Sequence, residues 1–315
     1  MDLTRGLRDI YVDLLIENAA KNENLVIVEA DLARAMATLK FKDVYPERFV
    51  NVGVAEANMI GVAAGLSNMG KIPFTHTFTA FASRRVFDQV MLSVSYSKLN
   101  VKIVGSDPGI LAQLNGGTHM SFEDVGIMRN IPTMTIIEPV DGVQLHGLFP
   151  QIVNHYGPMY LRLARKENDC VFPEGTTFEI GKASPVLEGT DVTIFATGIM
   201  VKESIEAHQL LKEEGINAEV INIHTLKPLD TEAIIAAAKK TGAVVTAENH
   251  NIINGLGSAV AETLVENYPV PMERIGVKDQ FGEVELKDYL IERYELTAKD
   301  IVKAVKKVLK RKLQN

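Results

Sequence analysis

At 315 residues, with 46% hydrophobic content and a formal net charge of −7, the chain is globular and long enough for two ordinary domains. The acidic balance argues against a nucleic-acid partner, which needs a basic face, and no apolar run is long enough to span a bilayer. The start, MDLTRGLRDIYVDLL, breaks its apolar pattern with charges and has no small-residue cleavage site, so a cytoplasmic protein is expected. The lone Cys170 excludes an internal disulfide framework and sits in a charged connecting stretch with nothing to activate a thiol.

Short β-rich runs alternate with amphipathic helical runs, the pattern of a parallel sheet covered by helices on both faces. In the first half the expected strands are 25–30, 49–52, 72–77, 101–104, 133–137 and 159–163. Several, such as LVIVEA and TMTIIE, are nearly continuous apolar runs, as two-sided burial requires. Helices are expected over 5–21, 56–68, 79–97, 122–129 and 140–154. After Arg165 the stretch KENDCVFPEGTTFEIGKASPVLEGTD, rich in charge, Gly, Pro and Thr, reads as a connection with one edge strand. A second α/β unit follows: VTIFATG, a helix over 201–214, AEVINI, a helix after Pro228, AVVTAE, a helix over 256–267, VPMERIGV and two closing helices. The last of these, KDIVKAVKKVLKRK, has a basic face that reads as solvated on an acidic protein. The expected fold is two consecutive three-layer α/β domains with mostly parallel sheets, residues 1–166 and 189–315, joined by a linker over 167–188.

Two phosphate-binding look-alikes fail on inspection. Gly65-LSNM-Gly70-Lys71 is followed by Ile72 where a phosphate loop needs Ser or Thr, and it ends a helix, so Gly70 reads as a helix C-cap. Gly255-Leu256-Gly257 opens a helix after a strand, but Val260 stands where a dinucleotide fingerprint has its third glycine. Close helix–sheet packing explains it, and a dehydrogenase is the weaker rival.

The informative stretch is FVNVGVAEANMIGVAAGLS. Glu56 falls in the first turn of a helix that is otherwise small and apolar; it could complement the helix dipole, but its neighbours point to burial, where a carboxylate needs a partner. In FTHTFTAFASRRVFDQV, Phe78 and Phe81 lie three apart at a helix start near the C-terminal end of a strand, the edge where open parallel sheets bind ligands. The long Gly-rich loop GSDPGILAQLNGGTHMSFED carries Asp107, Asn115 and His119. Arg165, in YLRLARK, leaves a strand at the same edge and suits an anionic substrate.

Taken in order, GVAEANMIGVAAG, HTFTAFASRRVFDQ, NGGTHMSFEDVGIMR and LARK closely resemble the pyrimidine-binding domain of transketolases. TLKPLD and AENHNIINGLGSAVAE resemble blocks of their C-terminal domain, so the resemblance covers nearly the whole chain. The blocks are also similar to those of 1-deoxyxylulose-phosphate synthase and, less closely, of the β subunits of 2-oxo acid dehydrogenases. The family's GDG segment for diphosphate and Mg²⁺ is absent. The resemblance therefore implies the C-terminal subunit of a split transketolase that uses thiamine diphosphate and Mg²⁺. A separate N-terminal subunit would supply the metal and diphosphate ligands, in a heterotetramer of two copies of each.

By resemblance, Glu56 is the catalytic glutamate that hydrogen-bonds the pyrimidine ring nitrogen and favours the tautomer that deprotonates the thiazolium carbon. Phe78 and Phe81 pack on that ring, and Asp31 matches an acidic residue near the cofactor, its alternative being a helix N-cap. His119 matches a catalytic and substrate-hydroxyl position, and Arg165 a substrate-phosphate arginine. Asn115 replaces a common aspartate, and Asp107 stands where many transketolases have histidine, as in deoxyxylulose-phosphate synthases. The implied reaction moves a two-carbon ketol unit from a ketose phosphate to an aldose phosphate, and the altered loop leaves a specialised sugar open. His76 has no assigned role, and His224 and His250 read as structural.

Overall fold

The computed structural model describes residues 1–314 and contains two sheets. In chain order the strands are β1 (Leu25–Glu29), β2 (Phe49–Asn51), β3 (Ile72–Phe78), β4 (Lys102–Ser106), β5 (Thr135–Ile137), β6 (Met159–Leu163), β7 (Ser184–Leu187), β8 (Val192–Ala196), β9 (Ala218–Asn222), β10 (Thr225–Lys227), β11 (Val244–Asn251) and β12 (Met272–Val277). The first sheet runs β10-β5-β6-β4-β3-β1-β2 and the second β12-β11-β8-β9-β7. All pairings are parallel except those of β10 and β7, both at edges. Strands β1, β4, β6, β8 and β9 are buried at every residue, as expected of strands covered on both faces.

Most expected elements form within a residue or two of their anticipated ends, and the helices Glu56–Asn68 and Leu256–Asn267 begin and end where expected. Gly70, at φ 83, follows the first of these, and the Lys71 N–H donates back to the Leu66 carbonyl, the C-terminal role foreseen for this glycine. The helix expected over 79–97 instead breaks into Thr79–Ala82, Phe87–Gln89 and a π-helical turn at Val90–Tyr96. Ser83 donates its hydroxyl to the Thr79 carbonyl and leaves helical geometry at ψ −86, so Arg84 and Arg85 sit in the gap between helical pieces.

The linker holds one edge strand, β7, as expected, but a second departure is topological. Strand β10, far along the second half, pairs antiparallel with β5 and closes the edge of the first sheet. A buried charged seam also joins the halves. Arg162 on β6 donates to Asp124, to Glu138 and to the Asn249 carbonyl on β11, all at 0–3% exposure. Thr197 after β8 donates to Glu138. We retain the 167–188 division as a proposal about folding units, with these ties crossing it. Among the described residues no helix is long and apolar enough to cross a membrane.

Candidate active site

Parallel strands deliver their following residues to one edge, and the candidate residues gather there. Asp31 follows β1, Glu56 follows β2, Phe78 ends β3, Asp107 follows β4 and Arg165 follows β6. Glu56 opens its helix after Ala55, which offers no side-chain cap, and is buried at 5% exposure. Its Oε1 accepts a hydrogen bond from Arg85 Nη1 at 2.7 Å, and the Arg85 guanidinium lies 3.7 Å from the centroid of the Phe81 ring. Phe78 and Phe81 meet edge to face at 6.1 Å, with Phe78 closing the strand and Phe81 inside the short helix. The His119 ring stands 5.1 Å from Phe81 and 5.9 Å from Phe78.

Arg165 lies 5.5 Å from the Phe78 centroid and forms an ion pair with Asp107 at 2.5 Å. The two touching atoms lack hydrogen-bond alignment, so this is charge contact rather than a directed bond. Burial pushes the Asp107 carboxyl up to about 6, with Arg165 pulling the other way. Both Asp31, at φ 60, and Asp107, at φ 55, hold left-handed backbone, which concentrates strain at this edge.

The structure thus brings Glu56, Phe78, Phe81, His119, Asp107 and Arg165 into one chain of contacts, with Arg85 as the link to Glu56. Asp31 and Asn115 stand apart from it. The Asp31 N–H donates to Asn51 Oδ1 at 3.1 Å, and the same oxygen accepts from the Gly53 N–H, bracing the approach to Glu56; no helix begins at Asp31. The Asn115 amide turns back on its own loop, donating to the Ala112 and Gln113 carbonyls.

Three further residues were not singled out from the sequence. Arg84 donates to the Gly117 and Thr118 carbonyls and to Glu123, holding the His119 loop. Arg85 is the partner of Glu56. Asn249, from the second sheet, accepts from the Ile110 N–H and donates to the Pro108 carbonyl, fixing the loop just after Asp107. The arginine pair was visible in ASRRVFDQV, but an unbroken helix would have put both side chains on its surface.

His76 now has a setting. Its Nε2 is 2.8 Å from the Tyr11 hydroxyl and its Nδ1 3.2 Å from Glu29, which also accepts from Thr38. All four side chains are fully buried, so this is a polar tie beneath the edge. His224 and His250 are buried as well, and burial lowers each to about 4. The glycines of the rejected fingerprint admit an internal anion: Glu248 accepts from the Leu256 and Gly257 N–H groups at that helix start, and burial raises its carboxyl to about 7. A Cβ on Gly255 would lie 1.9 Å from that carboxylate, so the glycine is a packing requirement. Among the described residues no group of three or more His, Cys, Asp or Glu side chains could hold a metal ion.

Fold and site together define an α/β protein with an aromatic and ionic cluster on a parallel-sheet edge, the place where such sheets bind ligands. The transketolase pyrimidine-binding domain profile matches residues 5–169 and the transketolase C-terminal domain profile matches residues 181–301. The chain belongs to the transketolase family and is an enzyme subunit of its split class. It is 61% identical to a 6-deoxy-6-sulfo-D-fructose transketolase subunit of Clostridium sp. (strain MSTE9), over 97% of this chain and 95% of that one. It is 42% identical to a putative transketolase C-terminal section of Methanocaldococcus jannaschii, over 98% and 97%. A solved split-gene transketolase, an inactive β4 tetramer, superposes with a TM-score of 0.91 at 44% identity, covering 97% of this chain and 99% of that chain.

Proposed function

We propose that this subunit supplies the pyrimidine side of a thiamine diphosphate site and, with a separate N-terminal subunit, transfers a two-carbon ketol unit between sugars. The observation that carries the reading is the buried Glu56 carboxylate beside the Phe78–Phe81 pair, with His119 and Arg165 at its rim. The residues fit one end of the cofactor: an aromatic wall for a flat ring and a single built-in carboxylate for a ring nitrogen. Thiamine diphosphate, when bound, supplies the carbon nucleophile that breaks and re-forms the ketol carbon–carbon bond.

Glu56 would hold the ring nitrogen of the cofactor by a hydrogen bond, a task that needs a carboxylate shielded from water. Phe78 and Phe81 exclude water and hold the ring plane. His119, on its braced loop, meets the substrate hydroxyls. Arg165, which also pairs with Asp107, would hold the terminal anion of the sugar. Asp31 and Asn115 remain candidates for the outer cofactor and sugar contacts. The Mg²⁺ and diphosphate ligands are assigned to the N-terminal subunit, in an assembly of two copies of each.

The donor we favour is a ketose with a terminal sulfonate, of the 6-deoxy-6-sulfo-D-fructose type, because of the 61% identity to the subunit named for it. A ketose phosphate such as xylulose 5-phosphate is the second reading, since Arg165 would serve either anion. The test mixes this chain with the candidate N-terminal subunit of its organism, thiamine diphosphate, Mg²⁺ and ribose 5-phosphate, and offers each donor in turn. Turnover only in the mixture, with the sulfonated donor preferred, is the expected result. Turnover by this chain alone would overturn the shared site, and preference for xylulose 5-phosphate would select the second reading.

A further inference from the structure

Among the described residues, the Glu56 carboxylate has a single hydrogen-bond partner, Arg85. The same guanidinium lies over Phe81, its carbon 3.7 Å from the ring centroid. A planar group in hydrogen-bond contact with Glu56 and in face contact with Phe81 makes both contacts that the proposed function gives to the cofactor's aminopyrimidine ring. Exposure separates the partners. The Glu56 side chain is 6% exposed and that of Arg85 45%, so the carboxylate is built in and the guanidinium covers it from the solvent side.

The neighbouring arginine sharpens the point. Arg84 is anchored by two backbone carbonyls and Glu123, whereas Arg85 is held by one charge and one ring. Half-exposed ion pairs hold weakly, and a long arginine stem reorients at little cost. A nearly buried carboxylate left bare, by contrast, is costly, so Glu56 gains from a temporary partner.

We infer that Arg85 is a displaceable stand-in for the aminopyrimidine: it neutralises Glu56 and covers Phe81 until the cofactor arrives, then swings away. Cofactor binding is therefore a competition for Glu56 between the pyrimidine ring and an arginine of the same chain. The inference rests on the proposed roles of Glu56 and Phe81. A permanent orienting role for Arg85 would give the opposite sign, because its loss would then loosen the carboxylate the cofactor needs.

The test titrates thiamine diphosphate, with Mg²⁺, into the assembled two-subunit enzyme by calorimetry, comparing wild type with Arg85→Gln and Arg85→Lys. Removing the competitor should tighten binding about ten-fold in Arg85→Gln. Arg85→Lys, which keeps the charge without the flat group, should fall between that variant and wild type. Binding that is unchanged or weaker in Arg85→Gln, with its thermal unfolding midpoint preserved, overturns the stand-in role. Should Arg85→Gln not assemble, the Arg85→Lys titration decides by the same sign. Glu56→Gln is run alongside for turnover: retained activity there sinks the reading of Glu56 itself, whereas an Arg85 failure shows only in the binding constant.

Discussion

Two arginine–carboxylate groups in this chain use the same chemistry under opposite conditions. Arg162 is completely buried and bonded to both Asp124 and Glu138, with a backbone carbonyl as its third partner. Burial works against its charge, but the two carboxylates more than offset that and hold its pKa above the usual arginine value. Arg85 is half exposed and bonded to a single carboxylate. The first group is committed to joining the halves of the molecule, and the second is free to change partners. Burial and partner number, not residue type, separate a structural ion pair from one available to a ligand.

The comparison can be broken at several points. The largest effect should come from Glu56→Gln in the assembled enzyme: turnover falls on the order of a thousand-fold while the unfolding midpoint barely moves. Near-normal turnover would remove Glu56 from the chemistry. Next is Arg162→Met, which strands two buried carboxylates and should destabilise the chain by about 3–5 kcal/mol, read by denaturant unfolding. A loss below about 1 kcal/mol would mean that the seam is not a structural tie. Smaller again is the effect of pH through Asp107. Its folded pKa, about 6, is raised from 3.8, so the stability it contributes is complete below 3.8 and lost as pH rises through 6. Relative to Asp107→Asn, wild type should lose on the order of 2 kcal/mol between pH 4 and 7. Parallel stability curves for the two proteins would refute the shift. The smallest effect is that of Arg85→Gln on folding, expected within about 1 kcal/mol because the Arg85 side chain is 45% exposed and the glutamine amide keeps a donor for the buried Glu56 carboxylate.

The sequence displayed those elements whose pattern is local. The largely apolar runs of β1 and β8 and the small-residue helix that Glu56 opens carry their own signals, and they form where anticipated. So did the candidates at strand ends, because a parallel sheet turns chain order into spatial neighbourhood. What stayed hidden depends on distant partners. Strand β10 has three residues, too few for any periodicity, and exists because β5 offers it an edge. At Ser83 the backbone leaves helical geometry while the hydroxyl bonds the Thr79 carbonyl, a break that no apolar period along the chain marks and that sets Arg84 and Arg85 between helical pieces. Asn249 reaches the Asp107 loop across the boundary between sheets, a contact that no spacing along the chain encodes.

The placement of β10 also dictates a schedule. On the ribosome, the first half of the chain emerges well before Lys227, so for part of its synthesis the outer edge of β5 has no strand beside it. During the same interval Arg162 lacks the Asn249 carbonyl that later accepts its hydrogen bond. An open strand edge is a surface that other nascent chains can pair with. The pyrimidine-binding half is therefore a dependent of what is translated after it, and a chaperone hold on the nascent chain would matter most until residue 249 is free.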